Sequence, residues 1–438
     1  DAVRRGAVAV LTDAGGASRS GGDIPVLVVE HPRDRIAGLS AWFYDHPSQA
    51  FSTVGITGTQ GKTTATYIAE AALGRRKAGL IGTIGTRIAR EPVGSALTTP
   101  EAPELQALFA VMREQQVEAC VMEVSSHALV QGRVDGVQFD TCAFLNLGRD
   151  HLDFHVTVEE YFLAKAALFR PERTQRAVVN VDDDHGRALI ELIGTTLPVT
   201  SFSTAGRPAD WRALNIRPNR SGTALDVLMP SGASLPLTVP LPGVFNVSNA
   251  LAALAALTTC GFDPAELAAG IAEIAGVPGR MERVERGQEF NAVVDYAHKP
   301  DAVTAVLSAL RPITAGRLIV VIGAGGDRDH GKRPLMGAAA AAIADLVIVT
   351  DDNPRSESPA AIRADVLGGA SPGPAVAIEI GDRREAITHA VSVAHRGDTI
   401  VVAGKGHERG QEIDGVVHPF DDRDVLATVI DERLGADS

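Results

Sequence analysis

The chain has 438 residues, 45% of them hydrophobic and 22% charged, with a formal charge of −13. That length has room for two or three domains with cores of their own, and the acidic balance excludes a broad nucleic-acid-binding surface. Cys120, Cys142 and Cys260 sit in apolar runs, which excludes a disulfide framework and fits a reducing cytoplasm. The alanine-rich stretches at 250–257 and 337–344 are too short to span a bilayer and read as buried helices.

Residues 1–49 open at Asp1 without methionine. They offer strands at 7–11 and 26–29 and a helix at 34–44. That is too little for a domain, so the stretch reads as the remnant of an N-terminal domain in a longer protein.

Residues 50–277 begin with an apolar strand at 51–56. Gly58-Thr-Gln-Gly-Lys-Thr-Thr64 then turns the chain into a helix at 63–73, with Gly74 as its C-cap. Further strands are expected at 79–83, 119–124, 141–146 and 177–181, and helices at 104–115 and 158–169. Alternating strand and helix imply a mostly parallel sheet covered on both faces. From 197 to 241 the strands shorten and look antiparallel. Pro242 to Asn249 then opens a helix at 250–257.

A Gly/Pro break at 275–279 starts the last unit, 278–438. Strands are expected at 292–296, 318–323, 346–350, 375–380 and 399–403, with helices at 302–310, 334–343, 359–367, 383–394 and 422–434. This reads as a second doubly wound α/β domain. Gly323-Ala-Gly-Gly-Asp-Arg328 falls short of a dinucleotide fingerprint because Arg328 stands at the third glycine position.

The strand, Gly-rich turn and helix at 51–73 make an anion site. Glycines let backbone N–H groups crowd a phosphate, the helix N-terminus favours negative charge, and Lys62 adds a full positive one. Gly58, Thr59, Gly61, Lys62, Thr63 and Thr64 are the expected nucleotide cradle, with the Thr63 hydroxyl placed for Mg²⁺. Glu123 ends a strand beside the loop, where a carboxylate commonly holds Mg²⁺; the lesser alternative is a glutamate that caps a helix or sits in a salt bridge. His151 follows the next strand among acids and reads as either a ligand or a structural histidine. Lys165 lies in an apolar helix and, on composition, is a snorkelling lysine. Its ammonium could not ligate Mg²⁺.

Three loops in the last unit follow strands directly: Gly325 to Asp329, Asp351 to Arg355, and Gly404 to Glu408. Placed at the carboxyl ends of parallel strands, they can face one crevice. Their two arginines, Asn353 and Glu408 suit a zwitterion with carboxylates and an amine. Turn chemistry alone explains the Asp, Asn, Pro and Gly of these loops, but not the arginines.

Seven strings in order resemble the Mur ligase family over nearly the whole chain. They are the phosphate loop, Glu123-Val-Ser-Ser-His127, Asp150-His-Leu-Asp153, Phe245-Asn-Val-Ser-Asn249, Gly279-Arg-Met-Glu282, Asp295-Tyr-Ala-His298 and Asp352-Asn-Pro-Arg355. The resemblance implies three domains: an N-terminal UDP-binding domain represented by 1–49, a central P-loop ATPase and a Rossmann-like C-terminal domain. It also implies a reaction. ATP phosphorylates a carboxylate, an amino acid's amine attacks the acyl phosphate, and the tetrahedral intermediate expels phosphate.

The same resemblance implies the cofactors and roles. ATP and Mg²⁺ are expected, with Lys62, Lys165 and His151 catalytic and Thr63, Glu123, His151 and Lys165 at the metal. Lys165 matches a carbamylated lysine in the family. Asn246 and Asn249 match positions near adenine, and Arg280 and Asp295 positions near phosphate and ribose. Thr98, Thr99, Ser125, Gln131 and Arg133 match contacts to UDP-N-acetylmuramoyl-L-alanyl-D-glutamate. Arg328, Asp352, Asn353, Pro354, Arg355, Gly404 and Glu408 match contacts to the incoming amino acid. The Asp-Asn-Pro-Arg string resembles the form that takes meso-diaminopimelate, whose second carboxylate would pair with Arg355; lysine would leave that guanidinium unpaired. Gly148, where relatives often carry a hydroxyl residue, and Gln60, in place of Asn or Lys, depart from the pattern without removing a ligand. A cytoplasmic monomer that binds neither membrane nor nucleic acid is implied. Lysine addition, folylpolyglutamate-type ligation, a P-loop switch or motor and an inactive scaffold are the competing readings.

Overall fold

The computed structural model describes residues 3–19, 24–94, 97–151, 154–219 and 222–436. Leu152 and Asp153 of the Asp150-His-Leu-Asp153 string, and Ala96 before Thr98, lie outside the described residues. At the N-terminus Val10–Thr12 pairs in parallel with Val26–Val28, and the helix Pro32–Phe43 follows. The first strand starts at Val10 instead of Ala7, because Gly6 at φ +93° and the alanines after it favour a turn over a strand.

Among the described residues the central sheet has eleven strands. From one edge they run Ser234–Val239, Gly222–Leu228, Trp211–Asn219, Val199–Ser203, Ala177–Asn180, Thr141–Phe144, Ser52–Thr57, Ala119–Glu123, Ala78–Gly82, Gly85–Ile88 and Glu91–Val93. The seven from Trp211–Asn219 to Ala78–Gly82 are parallel, and antiparallel strands close both edges. Only part of the 197–241 segment is therefore antiparallel, since Val199–Ser203 pairs in parallel on both sides.

Alternate residues of the inner strands feed separate cores. Val54, Ile56, Val121 and Ala143 face the helices Lys62–Ala72 and Phe245–Thr259. Cys120, Met122, Cys142 and Phe144 face Ala102–Glu114 and the rest of the other side. Burial on both faces is why these strands read as unbroken apolar runs. It also puts Cys120 and Cys142 at zero exposure. The helix expected at 250–257 begins at Phe245, so Asn246 and Asn249 lie in its first turns.

The second sheet runs Glu282–Arg283, Asn291–Asp295, Thr399–Ala403, Leu318–Ile322, Leu346–Val349 and Val376–Glu379, all parallel except the first. Helices cover both faces, as doubly wound folds require. The five parallel strands have spatial order 1-5-2-3-4, so the sheet is not the 3-2-1-4-5-6 dinucleotide arrangement that a Rossmann-like description implies. The last strand returns to the middle, bringing the loops after Asp295, Ile322, Val349 and Ala403 to one end. Among the described residues no helix is long and apolar enough to cross a membrane.

Arg383 and Asp422, both with side chains at zero exposure, brace that end. The guanidinium donates to both Asp422 oxygens at 2.7 Å, and also to the Asp351 and Ala403 carbonyls at 3.2 and 3.0 Å. Arg383→Ala should lower the unfolding free energy by about 3–5 kcal/mol, because Asp422 would be left as an unpaired buried charge. Urea denaturation of the two proteins measures it.

Candidate active site at the junction of the two sheets

The phosphate loop owes its shape to a glycine and an asparagine. Gly61 has φ +85°, and a Cβ there would lie 2.3 Å from Asn249 Oδ1. Asn146, just past the neighbouring strand, grips the turn. Its Oδ1 accepts from the Thr59 and Gln60 amides at 3.1 and 2.9 Å, and its Nδ2 donates to the Gln60 carbonyl at 3.2 Å. These bonds engage the backbone of Gln60, so its departure from Asn or Lys leaves the loop intact. Gly148 donates its amide to the Thr59 hydroxyl at 3.0 Å, and a Cβ there would meet nothing nearer than 3.5 Å.

Lys62 and Lys165 both donate to the Gly58 carbonyl, each at 2.9 Å. Burial pulls the Lys62 ammonium down to about 8 and Lys165 well below the usual lysine range, with each lysine's neighbours among the secondary causes. Lys62 is thus cationic below about pH 8 and loses that charge above it. Nucleotide affinity should fall as pH rises through that value, and binding near pH 8 should take up a proton. Calorimetry in two buffers of different ionisation enthalpy reads that uptake directly.

Glu123 is 1% exposed. Its carboxylate accepts from the Thr83 amide at 2.8 Å and the Thr83 hydroxyl at 3.2 Å. Thr63, at the start of the loop helix, accepts from Arg280 Nη2 at 3.4 Å, and Arg280 lies 4.3 Å over the Tyr296 ring. Asp295 takes the Met281 and Ala297 amides at 2.7 Å on separate oxygens. Burial raises its carboxyl, against the pull of Arg280 and those amides. Asn246 donates to the Pro242 carbonyl at 2.7 Å and accepts from Asn249 at 3.0 Å. Thr59, Gly61 to Thr64, Glu123, His151, Asn246, Asn249, Arg280 and Asp295 all line one cavity of about 380 Å³.

Thr98 and Ser125 line that cavity too. Thr99 does not; it is fully buried and its hydroxyl donates to the Glu123 carbonyl at 2.8 Å and accepts from the Ser125 amide at 3.2 Å. Gln131 and Arg133 form a separate group: Arg133 donates to Gln131 Oε1 at 2.6 Å and to the Thr99 carbonyl at 3.0 Å, and pairs with Glu101 at 3.0 Å. Gly58 and Lys165 lie behind the cavity wall.

A second cavity of about 440 Å³ opens against the other sheet. Arg328, Asp352, Asn353, Arg355, Gly404 and Glu408 line it, as their strand-end positions imply. Pro354 is buried with its carbonyl against Gly326. Gly404 sits at φ +117°, where a Cβ would come within 2.5 Å of Asp352 Oδ2. The Asn353 amide is saturated as an acceptor: its Oδ1 takes Lys405 Nζ and the Glu412 amide, both at 3.0 Å. Its Nδ2 donates to Glu408 at 2.9 Å, which leaves one N–H for a ligand. Lys405, with no exposure, also pairs with Glu408 at 3.1 Å.

The two cavities share Asp150, His151, Tyr296, His298 and Lys299. Lys299 pairs with Asp150 across the junction. Burial works to raise the Asp150 carboxyl, but Lys299 and His151 outweigh it and bring it to about 2. His151, at φ +51°, lies 3.0 Å from Asp150, and burial lowers it to about 4, so it is a neutral imidazole with a free lone pair at neutral pH. Sequence reasoning passed over Asn146, Lys299, His298 and Lys405. His298 lies in a quoted string and meets Tyr296 of the same unit, while Lys299 lies beside that string and its partner Asp150 comes from the other unit.

Mg²⁺ binds oxygen donors and is usually held by one or two carboxylates plus substrate phosphates. Thr63 and Glu123 on one cavity wall fit that pattern. Among the described residues no group of three or more His, Cys, Asp or Glu could hold an ion without such a partner. Lys165 as an amine fits no metal.

The sequence profile of the Mur ligase middle domain matches residues 56–257, and that of the Mur ligase glutamate ligase domain matches 279–406. The chain is 52% identical over 437 residues to the UDP-N-acetylmuramoyl-L-alanyl-D-glutamate–2,6-diaminopimelate ligase of Streptomyces avermitilis, covering 98% of this chain and 86% of that one. A solved structure of a ligase with that name matches with a TM-score of 0.69 at 37% identity, over 99% of this chain and 88% of the other. An ADP complex of Mycobacterium tuberculosis folylpolyglutamate synthase shares the fold, with a TM-score of 0.71 at 19% identity over 85% of this chain and 92% of that one. The two profiles and the full-length likeness together show that the chain belongs to the Mur ligase family.

Proposed function

We infer that the chain is an ATP-dependent amide ligase that adds meso-diaminopimelate to UDP-N-acetylmuramoyl-L-alanyl-D-glutamate in peptidoglycan precursor synthesis. The observation that carries this reading is the meeting of the two cavities at Asp150 and Lys299. One cavity holds a phosphate loop and Glu123; the other holds Arg355, Asn353 and Glu408. A carboxylate activated in the first would face an amine delivered from the second.

The roles follow from the side chains. Lys62, Arg280 and the loop amides bind the nucleotide phosphates. Asn246 and Asn249 lie toward the base, and Asp295 keeps a lone pair on each oxygen for ribose. Thr63, Glu123 and the neutral His151 would hold Mg²⁺, which supplies charge neutralisation on the transferred phosphoryl group. Lys165 would serve as a carbamate. Thr98 and Ser125 contact the muramoyl dipeptide directly, while Thr99, Gln131 and Arg133 set the wall behind them. Arg355 and Asn353 take a carboxylate of diaminopimelate, and Glu408 its amine. We assign the ATPase unit to 50–277 and the acceptor unit to 278–438, and place the reaction in the cytoplasm with the protein as a monomer.

Phosphate release from ATP, measured with and without each substrate, tests this reading. Release that depends on both the UDP-dipeptide and meso-diaminopimelate is expected. Equal release with L-lysine would remove the acceptor assignment, and release independent of both would make the chain a switch or motor ATPase.

A further inference from the structure

The hairpin formed by Gly410–Ile413 and Val416–Pro419 has no part in the roles assigned above, yet it grips the acceptor loop at four points. Gln411 donates to the Asp352 carbonyl at 2.7 Å, and the Glu412 amide to Asn353 Oδ1 at 3.0 Å. The Arg355 amide donates to the Glu412 carbonyl at 3.0 Å, and the Asp414 amide to the Arg355 carbonyl at 2.8 Å. These bonds hold Arg355 at φ +53°, a conformation an arginine adopts only when its surroundings impose it.

The guanidinium is fixed separately. Arg355 Nη1 donates to the Gly326 carbonyl at 2.6 Å, and Nε donates to Glu412 Oε2 at 3.2 Å. Nη2 has no protein partner among the described residues and is the nitrogen left for a ligand carboxylate. Glu412 therefore meets Arg355 twice, through its backbone and through its carboxylate. Among the described residues Glu412 is the charged side chain that hydrogen-bonds the guanidinium, and with the Gly326 carbonyl it sets the rotation of the plane; Asp327 acts on Arg355 by charge alone.

We propose that Glu412 is a positioning residue that sets acceptor specificity by aiming Arg355 Nη2 at the second carboxylate of the acceptor. The proposal rests on the diaminopimelate reading of the site. Without the carboxylate the guanidinium could swing about Nη1, and a ligand would bear the cost of ordering it.

Kinetics of Glu412→Ala, Glu412→Gln and the same changes in an Arg355→Ala background test the idea. The hairpin bonds use the Glu412 backbone, so the variants keep the fold. Glu412→Ala should raise KM for meso-diaminopimelate about tenfold, the order expected for losing one charge-assisted hydrogen bond. KM for ATP and for the UDP-dipeptide should stay put, and preference over L-lysine should drop. Glu412→Gln should retain part of the preference. In the Arg355→Ala background the Glu412 changes should add nothing. Unchanged KM for diaminopimelate, or an equal effect without Arg355, would overturn the proposal while wild-type dependence on diaminopimelate leaves the function intact. A wild-type chain indifferent to diaminopimelate would overturn the function and the proposal together.

Discussion

Lys62→Met should reduce kcat/KM for ATP by about a hundred- to a thousandfold, the range for removing one preorganised donor from a charge-developing site. Methionine keeps the length and apolar stem of lysine, so the change isolates the ammonium. That ammonium rests on the Gly58 carbonyl at 2.9 Å, inside the cavity wall, where little water competes for it. Glu123 raises its proton affinity while burial lowers it, so the group is half-discharged near pH 8 until phosphates arrive. Lys62→Arg should not restore the activity, since a planar guanidinium does not reproduce the compact point charge that the ammonium sets on the Gly58 carbonyl. Thermal stability should hold or rise, because the variant no longer buries a charge. A loss below about tenfold, under ~1.4 kcal/mol, would remove the loop from the phosphate site.

Local patterns were enough to place the loops that line the two cavities. The loop at 58–64, the strand-end Glu123 and the three acceptor loops all sit where period and turn residues place them, because each depends only on a strand followed by a turn. The helices Asp184–Ile193 and Pro264–Ala272 were not anticipated, although each opens on an aspartate that caps it. The hairpin at 410–419 also went unseen. Its strands are four residues each with no clean alternation, and its importance comes from what it touches at 352–355. Asn146 reads as an ordinary strand end until the fold sets that strand beside the phosphate loop. Lys299 and Asp150 are 149 residues apart, and no spacing rule joins them. Strand order was likewise hidden, since a doubly wound pattern does not say where the last strand inserts. The two helices carried a local signal in their caps; for the hairpin, Asn146, the Lys299–Asp150 pair and the strand order the missing information is a long-range contact, and periodicity carries none.

Lys165→Met separates two physical accounts of one buried residue. Lys165 is 1% exposed, its Nζ lies 2.9 Å from the Gly58 carbonyl and 4.5 Å over the Tyr161 ring, and Lys62 donates to the same carbonyl. Burial, with Lys62 adding to it, holds the amine well below the usual range, which favours its neutral form. A neutral amine can attack CO₂: its lone pair forms the N–C bond, a C=O electron pair moves to oxygen, and the proton lost from nitrogen passes to a buffer base in solvent. The product is an anion beside the Lys62 cation, which relieves the contest of two ammonium groups over one carbonyl. The burial of its head overturns the snorkelling expectation; as a lysine held only for packing, the side chain would be dispensable, and methionine would then keep activity and raise stability. As a carbamate, its loss should cut kcat by about a hundredfold or more, in line with removing one preorganised charge. Stability would fall in this second case, because Lys62 would lose its buried anionic partner, so stability and activity separate the two accounts together. Two further readouts bear on the carbamate itself: native mass spectrometry should find one CO₂ on the wild type and none on Lys165→Met, and removing bicarbonate should lower wild-type activity reversibly. Wild-type activity in the variant, or a wild type indifferent to bicarbonate and unmodified by mass, would return Lys165 to the core as packing.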